Sequence, residues 1–207
     1  MEYLVTMTTR VPAGIPQEAV DDVRASEAAH TAVLAAQRHV LRLWRPPLGP
    51  GEWRTLGLFA AADAADLDRI LKSMPLRVWR TDEVTELTSH ANDPAPDAVP
   101  AEPPAGAEFF VSFTPAAPAG TPAEEVKEAQ NREAQRAREL GRQGHLVRLW
   151  ALPPEDGVSS ALGLWRAGGD AEMRAIVEAL PVYPYVKTQT TPLTPHPSDP
   201  AAPGSRA

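Results

Sequence analysis

Two glutamates occupy matching positions in two segments that are otherwise apolar on one helical face. Glu27 lies seven residues after Val20, in line with the residues expected to face the core, and Glu133 lies seven residues after Val126. A carboxylate in such a stripe is costly unless it is paired, hydrogen-bonded or facing a cavity. Three interpretations are open: an acid–base residue in a pocket, a structural partner for an arginine, or a surface glutamate slightly off the stripe.

The strand expected after each of these helices adds two further kinds of reactive side chain. His39 and His145 open the strands, where each is either a general base or a surface residue at the strand edge. Arg42 and Arg148 alternate with apolar residues along the same strands. An inward arginine can bind a substrate carboxylate through two hydrogen bonds, whereas a solvated strand face or an internal salt bridge is the structural alternative.

The composition excludes several classes of function. The 207 residues include no cysteine, which rules out thiolate nucleophiles, disulfides and iron–sulfur ligation. A formal charge of −7 is a poor match for nucleic acid or anionic membranes. No phosphate loop or metal-ligand spacing is present, and His90 and His196 are too isolated to hold a metal. No stretch approaches the ~20 apolar residues of a membrane span, and the N-terminus does not resemble a signal peptide. We therefore expect a soluble cytoplasmic protein.

The matched glutamates belong to a duplication that aligns without a gap. The segment His39-Val-Leu-Arg-Leu-Trp44 corresponds to His145-Leu-Val-Arg-Leu-Trp150, and Pro12-Ala-Gly14 corresponds to Pro118-Ala-Gly120 at the same offset. The period is too long for a solenoid, so each copy is expected to be a small domain. We divide the chain into a first repeat (1–90), an Ala/Pro-rich linker (91–107), a second repeat (108–196) and a disordered tail (197–207).

Each copy has the pattern of one compact α+β unit. The first predicts strands over residues 2–9, 40–44, 53–60 and 78–87, a helix over residues 16–38, and a helix capped by Asp63 that ends before Pro75. The order β-α-β-β-α-β is that of the ferredoxin-like unit, whose sheet carries both helices on one face. Since two copies can cover their bare faces with one another, we predict an intramolecular dimeric α+β barrel, open to further homo-oligomer formation.

Several motifs together resemble one protein family. They are Val5-Thr-Met-Thr8 before Val11-Pro12, Glu27, Leu43-Trp44-Arg45, Leu180-Pro-Val-Tyr-Pro-Tyr185 and Leu193-Thr-Pro-His-Pro-Ser198. Both copies resemble the muconolactone delta-isomerase family, whose ferredoxin-like subunits pair into dimers. The resemblance implies a cofactor-independent isomerase that moves a double bond within an unsaturated lactone or a related carbonyl compound. Glu27 and Glu133 match the family's pocket glutamate and are thereby implied as acid–base residues.

Other residues are expected around the substrate. The family's pocket tyrosine aligns with Trp53 in the first copy and with Ser159 in the second. Arg45 follows the family, whereas Ala151 departs from it. The remaining candidates for substrate binding or pocket walls are Arg42, Arg148, Trp44, Trp150, Tyr183 and Tyr185.

The departures from the family pattern leave the substrate open. One alternative is a diverged isomerase or cyclase that acts on a polyketide-like intermediate in natural-product biosynthesis rather than in aromatic catabolism. Another is a ligand-binding protein without catalysis, since ferredoxin-like barrels have many functions.

Overall fold

The computed structural model describes residues 1–94 and 106–201, which form two compact units. The first unit consists of Met1–Leu87 and Thr194–Ala207, and the second of Thr88–Leu193. Each unit therefore contains most of one repeat, together with the last residues of the other repeat and the segment that follows them. This division differs from the predicted boundaries at residues 90 and 196, because the last residues of each repeat pair with a strand of the other repeat and so belong to its unit.

The first unit has the predicted β-α-β-β-α-β order. Its elements are β1 (Glu2–Thr9), α1 (Gln17–Ala36), β2 (Val40–Arg45), β3 (Arg54–Ala60), α2 (Ala64–Ser73) and β4 (Arg80–Ser89). The strands form an antiparallel sheet in the order β4-β1-β3-β2, and Thr194 and Pro195 pair with the end of β2. The last strand begins later than predicted because Pro75–Trp79 form a short 3-10 helix, for which a proline at the first position is well suited.

The second unit repeats this arrangement. Its elements are β5 (Ala107–Pro115), α3 (Ala123–Arg142), β6 (Leu146–Ala151), β7 (Ala161–Ala167), α4 (Asp170–Glu178) and β8 (Val186–Pro195). The sheet order is β8-β5-β7-β6, again antiparallel, and Thr88 and Ser89 pair with the end of β6. An α+β fold of ferredoxin-like units is thus confirmed, whereas the dimeric barrel stays a prediction.

Local sequence signals account for these elements. Strand β1 alternates between buried and half-buried residues, which directs Tyr3, Val5 and Met7 into a core shared with α2. The predicted cap of α2 is confirmed, since the Asp66 backbone N–H donates to Asp63 Oδ1 at 2.8 Å. In β7, Gly163 lies against the Trp165 indole, where any Cβ would collide with the ring. The glycine therefore leaves room for the largest side chain of the second core.

The segments after β4 and β8 are anchored by aspartates. Asp199 is fully buried and lies 3.0 Å from Arg42 Nη2, while the Leu43 backbone N–H donates to its carboxylate at 3.1 Å. Residues 197–201 are thus bound to the first unit, unlike the disordered tail predicted there. Asp93, in the predicted linker, binds Arg148 Nη2 at 3.1 Å in the second unit. The rest of the linker and tail, residues 95–105 and 202–207, lies outside the described residues. No helix in the described ranges is long and apolar enough to cross a membrane.

Candidate functional site

Each unit contains a pocket beside its long helix. The first pocket, of about 350 Å³, lies in the first unit, and its reactive lining residues are Arg24, Glu27, Arg45, Trp53, Arg80 and His196. The second pocket, of about 330 Å³, lies in the second unit, where the residues at the matching positions are Gln130, Glu133, Ala151, Ser159, Val186 and His90. The helical stripe therefore brings each predicted glutamate to a cavity, as the first of its three interpretations requires.

In the first pocket, the glutamate is bound by a buried arginine. Arg80 Nη1 donates to Glu27 Oε1 at 3.0 Å, and the Leu76 backbone N–H donates to Glu27 Oε2 at 2.8 Å. Arg80, whose side chain is 2% exposed, also forms an ion pair with Asp82 at 2.7 Å. Glu27 thus belongs to a buried cluster of one cation and two carboxylates, so the second interpretation, a partner for an arginine, also holds for it.

In the second pocket, the glutamate has far fewer partners. Glu133 Oε2 accepts one hydrogen bond, from the Val182 backbone N–H at 3.3 Å, and in the described ranges the carboxylate makes no ion pair. Burial raises the pKa of Glu133, while the Val182 hydrogen bond and the nearby Arg136 partly oppose this shift. Phe113, Trp165 and neighbouring aliphatic residues form the wall. A carboxyl group in this environment is suited to exchange a proton with a bound molecule.

Each pocket also receives a histidine from the segment after β4 or β8. In the second pocket, His90 Nδ1 accepts from the Asn92 backbone N–H at 3.1 Å, and in the first, His196 Nδ1 accepts from the Ser198 N–H at 3.1 Å. Burial lowers the pKa of both histidines; that of His196 falls to about 4, with Arg45 as the next cause. Both are therefore neutral near pH 7, and the hydrogen bonds assign their proton to Nε2, which is a donor.

The strand arginines form ion pairs. Arg42 Nη2 lies 3.0 Å from Asp199, and Arg148 Nη2 lies 3.1 Å from Asp93. The guanidinium groups also stack over Trp44 and Trp150, 4.8 and 5.0 Å from the ring centroids. Of the two alternatives for these arginines, the structure therefore shows internal salt bridges and not arginines that line a pocket. The two tryptophans are fully buried and line neither pocket of the described chain.

The strand-opening histidines and the two tyrosines also lie apart from both pockets. His39 Nδ1 and His145 Nδ1 lie 3.1 and 2.9 Å from the backbone oxygens of Ala60 and Arg166, so each holds the start of its strand to the next. Tyr183 lines a separate surface cleft beside α4. Tyr185 donates its hydroxyl hydrogen to Glu125 at 2.6 Å. The pockets thus bring together Glu27, Arg45 and Trp53 in the first unit and Glu133 and Ser159 in the second.

Sequence reasoning missed several residues of these pockets, among them Arg24, Arg80, His90, His196 and Trp165. A signal existed for the histidines, because His90-Ala-Asn-Asp93 and His196-Pro-Ser-Asp199 align as His-x-x-Asp in both copies. No local signal marks Arg80, whose counterpart in the second copy is Val186.

Comparisons with known proteins give a consistent picture. Two curated relatives from Acinetobacter are similar to part of this chain. Muconolactone Delta-isomerase 1 of Acinetobacter lwoffii is 30% identical over 90 residues, which cover 44% of this chain and 91% of that protein. The muconolactone Delta-isomerase of Acinetobacter baylyi is 28% identical over 81 residues, covering 39% and 81%. One repeat therefore corresponds to nearly a whole relative.

Solved structures show the same fold at low sequence identity. A heme-binding protein from Thermus thermophilus matches with a TM-score of 0.59 and 13% identity, covering 96% of this chain and 93% of its own. A chlorite dismutase variant from Candidatus Nitrospira defluvii matches with a TM-score of 0.61 and 12% identity, covering 94% and 91%. The profile of the muconolactone delta-isomerase family matches residues 1–93 and again residues 107–199. Since these matches span nearly the whole sequence, the chain belongs to the muconolactone delta-isomerase family, with two copies of the family's domain in tandem.

Proposed function

We propose that this protein is a cofactor-independent isomerase and that its second pocket is the proton-transfer site. The observation that carries the proposal is Glu133, a half-buried carboxylate with one hydrogen bond, no ion pair in the described ranges, and a raised pKa. A carboxylate whose pKa is raised is a stronger base than an ordinary glutamate, which suits a group that takes a proton and returns it.

The substrate class is a small unsaturated lactone or a related carbonyl compound. Glu133 removes a proton from one end of the allylic system conjugated to the carbonyl, the electron pair moves to the carbonyl oxygen, and the same carboxyl group returns the proton at the other end. The double bond changes position while the composition of the molecule is unchanged. A polyketide-like carbonyl compound with an acidic C–H bond would undergo the same proton transfer.

Two neighbouring groups support the developing negative charge. His90 is neutral and presents an N–H donor, and Ser159 contributes a hydroxyl to the same lining. Donors already in position stabilise an enolate oxygen without reorganisation during the reaction. The apolar wall around Phe113 and Trp165 limits access of water, which preserves the strength of these interactions.

The first pocket is not equivalent in this proposal. Both carboxylate oxygens of Glu27 are used by Arg80 and by the Leu76 N–H, so this glutamate acts as a structural anion. Arg45 and Trp53 remain candidates for ligand binding there.

The test is isomerisation in D₂O, followed by NMR, with muconolactone and α-angelica lactone as probes. We expect turnover with deuterium entering the carbon that receives the proton, and a loss of about 10²–10⁴-fold in Glu133→Gln. Glu128→Gln, an exposed change on the same helix, is the matched control, and Glu27→Gln is expected to retain turnover. Full activity in Glu133→Gln would contradict the assignment, and binding of the probes without turnover would favour the non-catalytic alternative.

The pH dependence provides a second test of the same residue. The active form of Glu133 is the carboxylate, so the rate should rise with pH as this group ionises. Because the pKa of Glu133 is raised, the acidic limb of the profile should lie above the range of ordinary glutamates, about 4.3. An acidic limb at the ordinary value would show that another group is the base.

A further inference from the structure

We propose that the second pocket selects uncharged substrates and discriminates against lactones that carry a carboxylate. This inference rests on the proposed function, since it concerns the charge of the molecule on which Glu133 acts. It is carried by the residues that line the pocket. Within the described ranges they include two aromatic rings, a histidine and one carboxylate, but no lysine or arginine.

The cations of the first pocket have uncharged counterparts in the second. Three arginines line the first pocket: Arg24, Arg45 and Arg80. The aligned residues that line the second pocket are Gln130, Ala151 and Val186. Ala151 ends β6 as Arg45 ends β2, so the backbone offers a position for a guanidinium group at which the side chain is only a methyl group. A ligand carboxylate at this wall therefore meets no counter-ion among the described residues.

Two cations on the surrounding elements are already paired. Burial raises the pKa of Glu133 and Arg136 opposes this shift, but Arg136 Nη1 lies 2.7 Å from Glu139 Oε2. Arg148, on β6, lies 3.1 Å from Asp93. Neither arginine lines the pocket. A ligand anion would therefore lose its hydration here without gaining a compensating charge, which is costly.

Glu133 itself adds repulsion. It acts as a carboxylate, and it is half-buried at a cavity of about 330 Å³. A second carboxylate in the same cavity would lie close to it, where charges are screened less than in water. The ligand charge would also favour the protonated form of Glu133, which cannot accept a proton. An anionic substrate should therefore bind weakly and reduce the fraction of active base.

The rest of the lining suits a neutral carbonyl compound. Phe113, Leu149 and Trp165 provide apolar contacts for a ring or a short chain. The donors beside them are uncharged: His90 is neutral with its proton on Nε2, and Ser159 has a hydroxyl group. Such donors can bind a carbonyl oxygen without requiring a charge on the ligand.

The test compares two lactones of different charge. Muconolactone carries a carboxylate, whereas α-angelica lactone is neutral. We expect kcat/KM of the wild type to be at least about 10-fold higher for α-angelica lactone. Ala151→Arg should lower the ratio of the two values at least about 10-fold, because it supplies a cation for the carboxylate. Ala151→Met adds bulk without charge and should keep the preference for the neutral lactone.

Calorimetric titration separates this inference from the proposed function. The probes are phthalide, a neutral bicyclic lactone, and 5-carboxyphthalide, the same lactone with a carboxylate. Of the two pockets, Ala151 lines only the second, so a change caused by its substitution reports on that pocket. Ala151→Arg should strengthen binding of 5-carboxyphthalide at least about 10-fold and change that of phthalide by less than about 3-fold.

The outcomes are distinct. If the titrations give these results and neither lactone is isomerised, the proposed function fails and the selectivity for uncharged ligands holds. The inference is overturned if wild type isomerises muconolactone as well as α-angelica lactone or better. It is also overturned if phthalide does not bind to the wild type, or if Ala151→Arg leaves the binding of 5-carboxyphthalide unchanged.

Discussion

The two pockets are built from matching helices and strands, but the glutamate in each has different partners. Glu27 and Glu133 lie at matching positions in α1 and α3, which are equally long. Each accepts a hydrogen bond from a backbone N–H in the short segment that follows the shorter helix of its unit. The difference comes from the first residue of the following strand, which is Arg80 in one unit and Val186 in the other. The cation at this position pairs with the first carboxylate, and its absence leaves the second without an ion pair in the described ranges.

The histidine segments show the opposite behaviour, because they are the same in both units. In each, an aspartate three residues after the histidine binds an arginine and a backbone N–H of the neighbouring strand. These buried contacts fix the approach of the histidine to the pocket. The two copies therefore share the segments that position the histidines, and they differ in the charged residues that line the pockets.

The largest effect is expected from removing the buried cation. Arg80→Met removes the cation that Glu27 and Asp82 share and leaves Asp82 only its 3.6 Å ion pair with Arg77, while the Glu27 and Asp82 side chains are only 12% and 4% exposed. The free energy of unfolding should fall by about 3–5 kcal/mol, measured by urea denaturation. Val186→Met, at the aligned position of the other unit, should cost less than about 1.5 kcal/mol. Equal effects of the two changes would show that Arg80 does not stabilise the first unit through its charge.

The converse change transfers the cation to the second pocket. Val186→Arg places a guanidinium near Glu133, which should lower the pKa of the carboxyl group and weaken it as a base. We expect kcat/KM for the lactone probes to fall about 10- to 100-fold and the acidic limb of the pH profile to move down. Val186→Met adds bulk without charge and should leave the acidic limb in place. An unchanged pH profile in Val186→Arg would show that a cation at this position does not affect the catalytic base.

His196 should make stability depend on pH. Its folded-state pKa of about 4 lies below the ~6.5 of an exposed histidine, so the unfolded chain takes up the proton first as the pH falls. The contribution is therefore full above about pH 6.5 and is lost as the pH falls toward about 4. Partial exposure reduces it to about 1–2 kcal/mol.

His196→Gln isolates this contribution. The difference in unfolding free energy between wild type and His196→Gln should shrink from about pH 7 to about pH 5. A difference that stays constant with pH would contradict the assignment.

The smallest effect concerns the ends of the two long helices. Arg38 has a φ of 62° where the second copy has Gly144 at 78°, and this left-handed region favours glycine. Arg38→Gly should raise the free energy of unfolding by about 0.5–1 kcal/mol, and Gly144→Ala should lower it by a similar amount. Destabilisation by Arg38→Gly would show that the arginine side chain makes a compensating contribution.

Local patterns made a large part of this protein predictable. The duplication, the order of strands and helices, the Asp63 cap and the position of Glu27 and Glu133 on the buried stripe follow from periodicity and capping within a few turns of chain. The resemblance to the family, which the comparisons confirm, rests on similar short motifs. Such features are readable because neighbours in sequence determine them.

Long-range contacts decided the character of the pockets. Arg80 is 53 residues from Glu27, and Asp199 is 157 residues from Arg42, so no periodicity relates either pair. The sequence by itself placed a carboxylate in each long helix and identified the family, whereas only the tertiary structure decided which carboxylate has a buried cation as its partner. The physical reason is that the ionisation of a buried acid depends on the groups that folding brings within a few ångströms of it, whatever their separation along the chain.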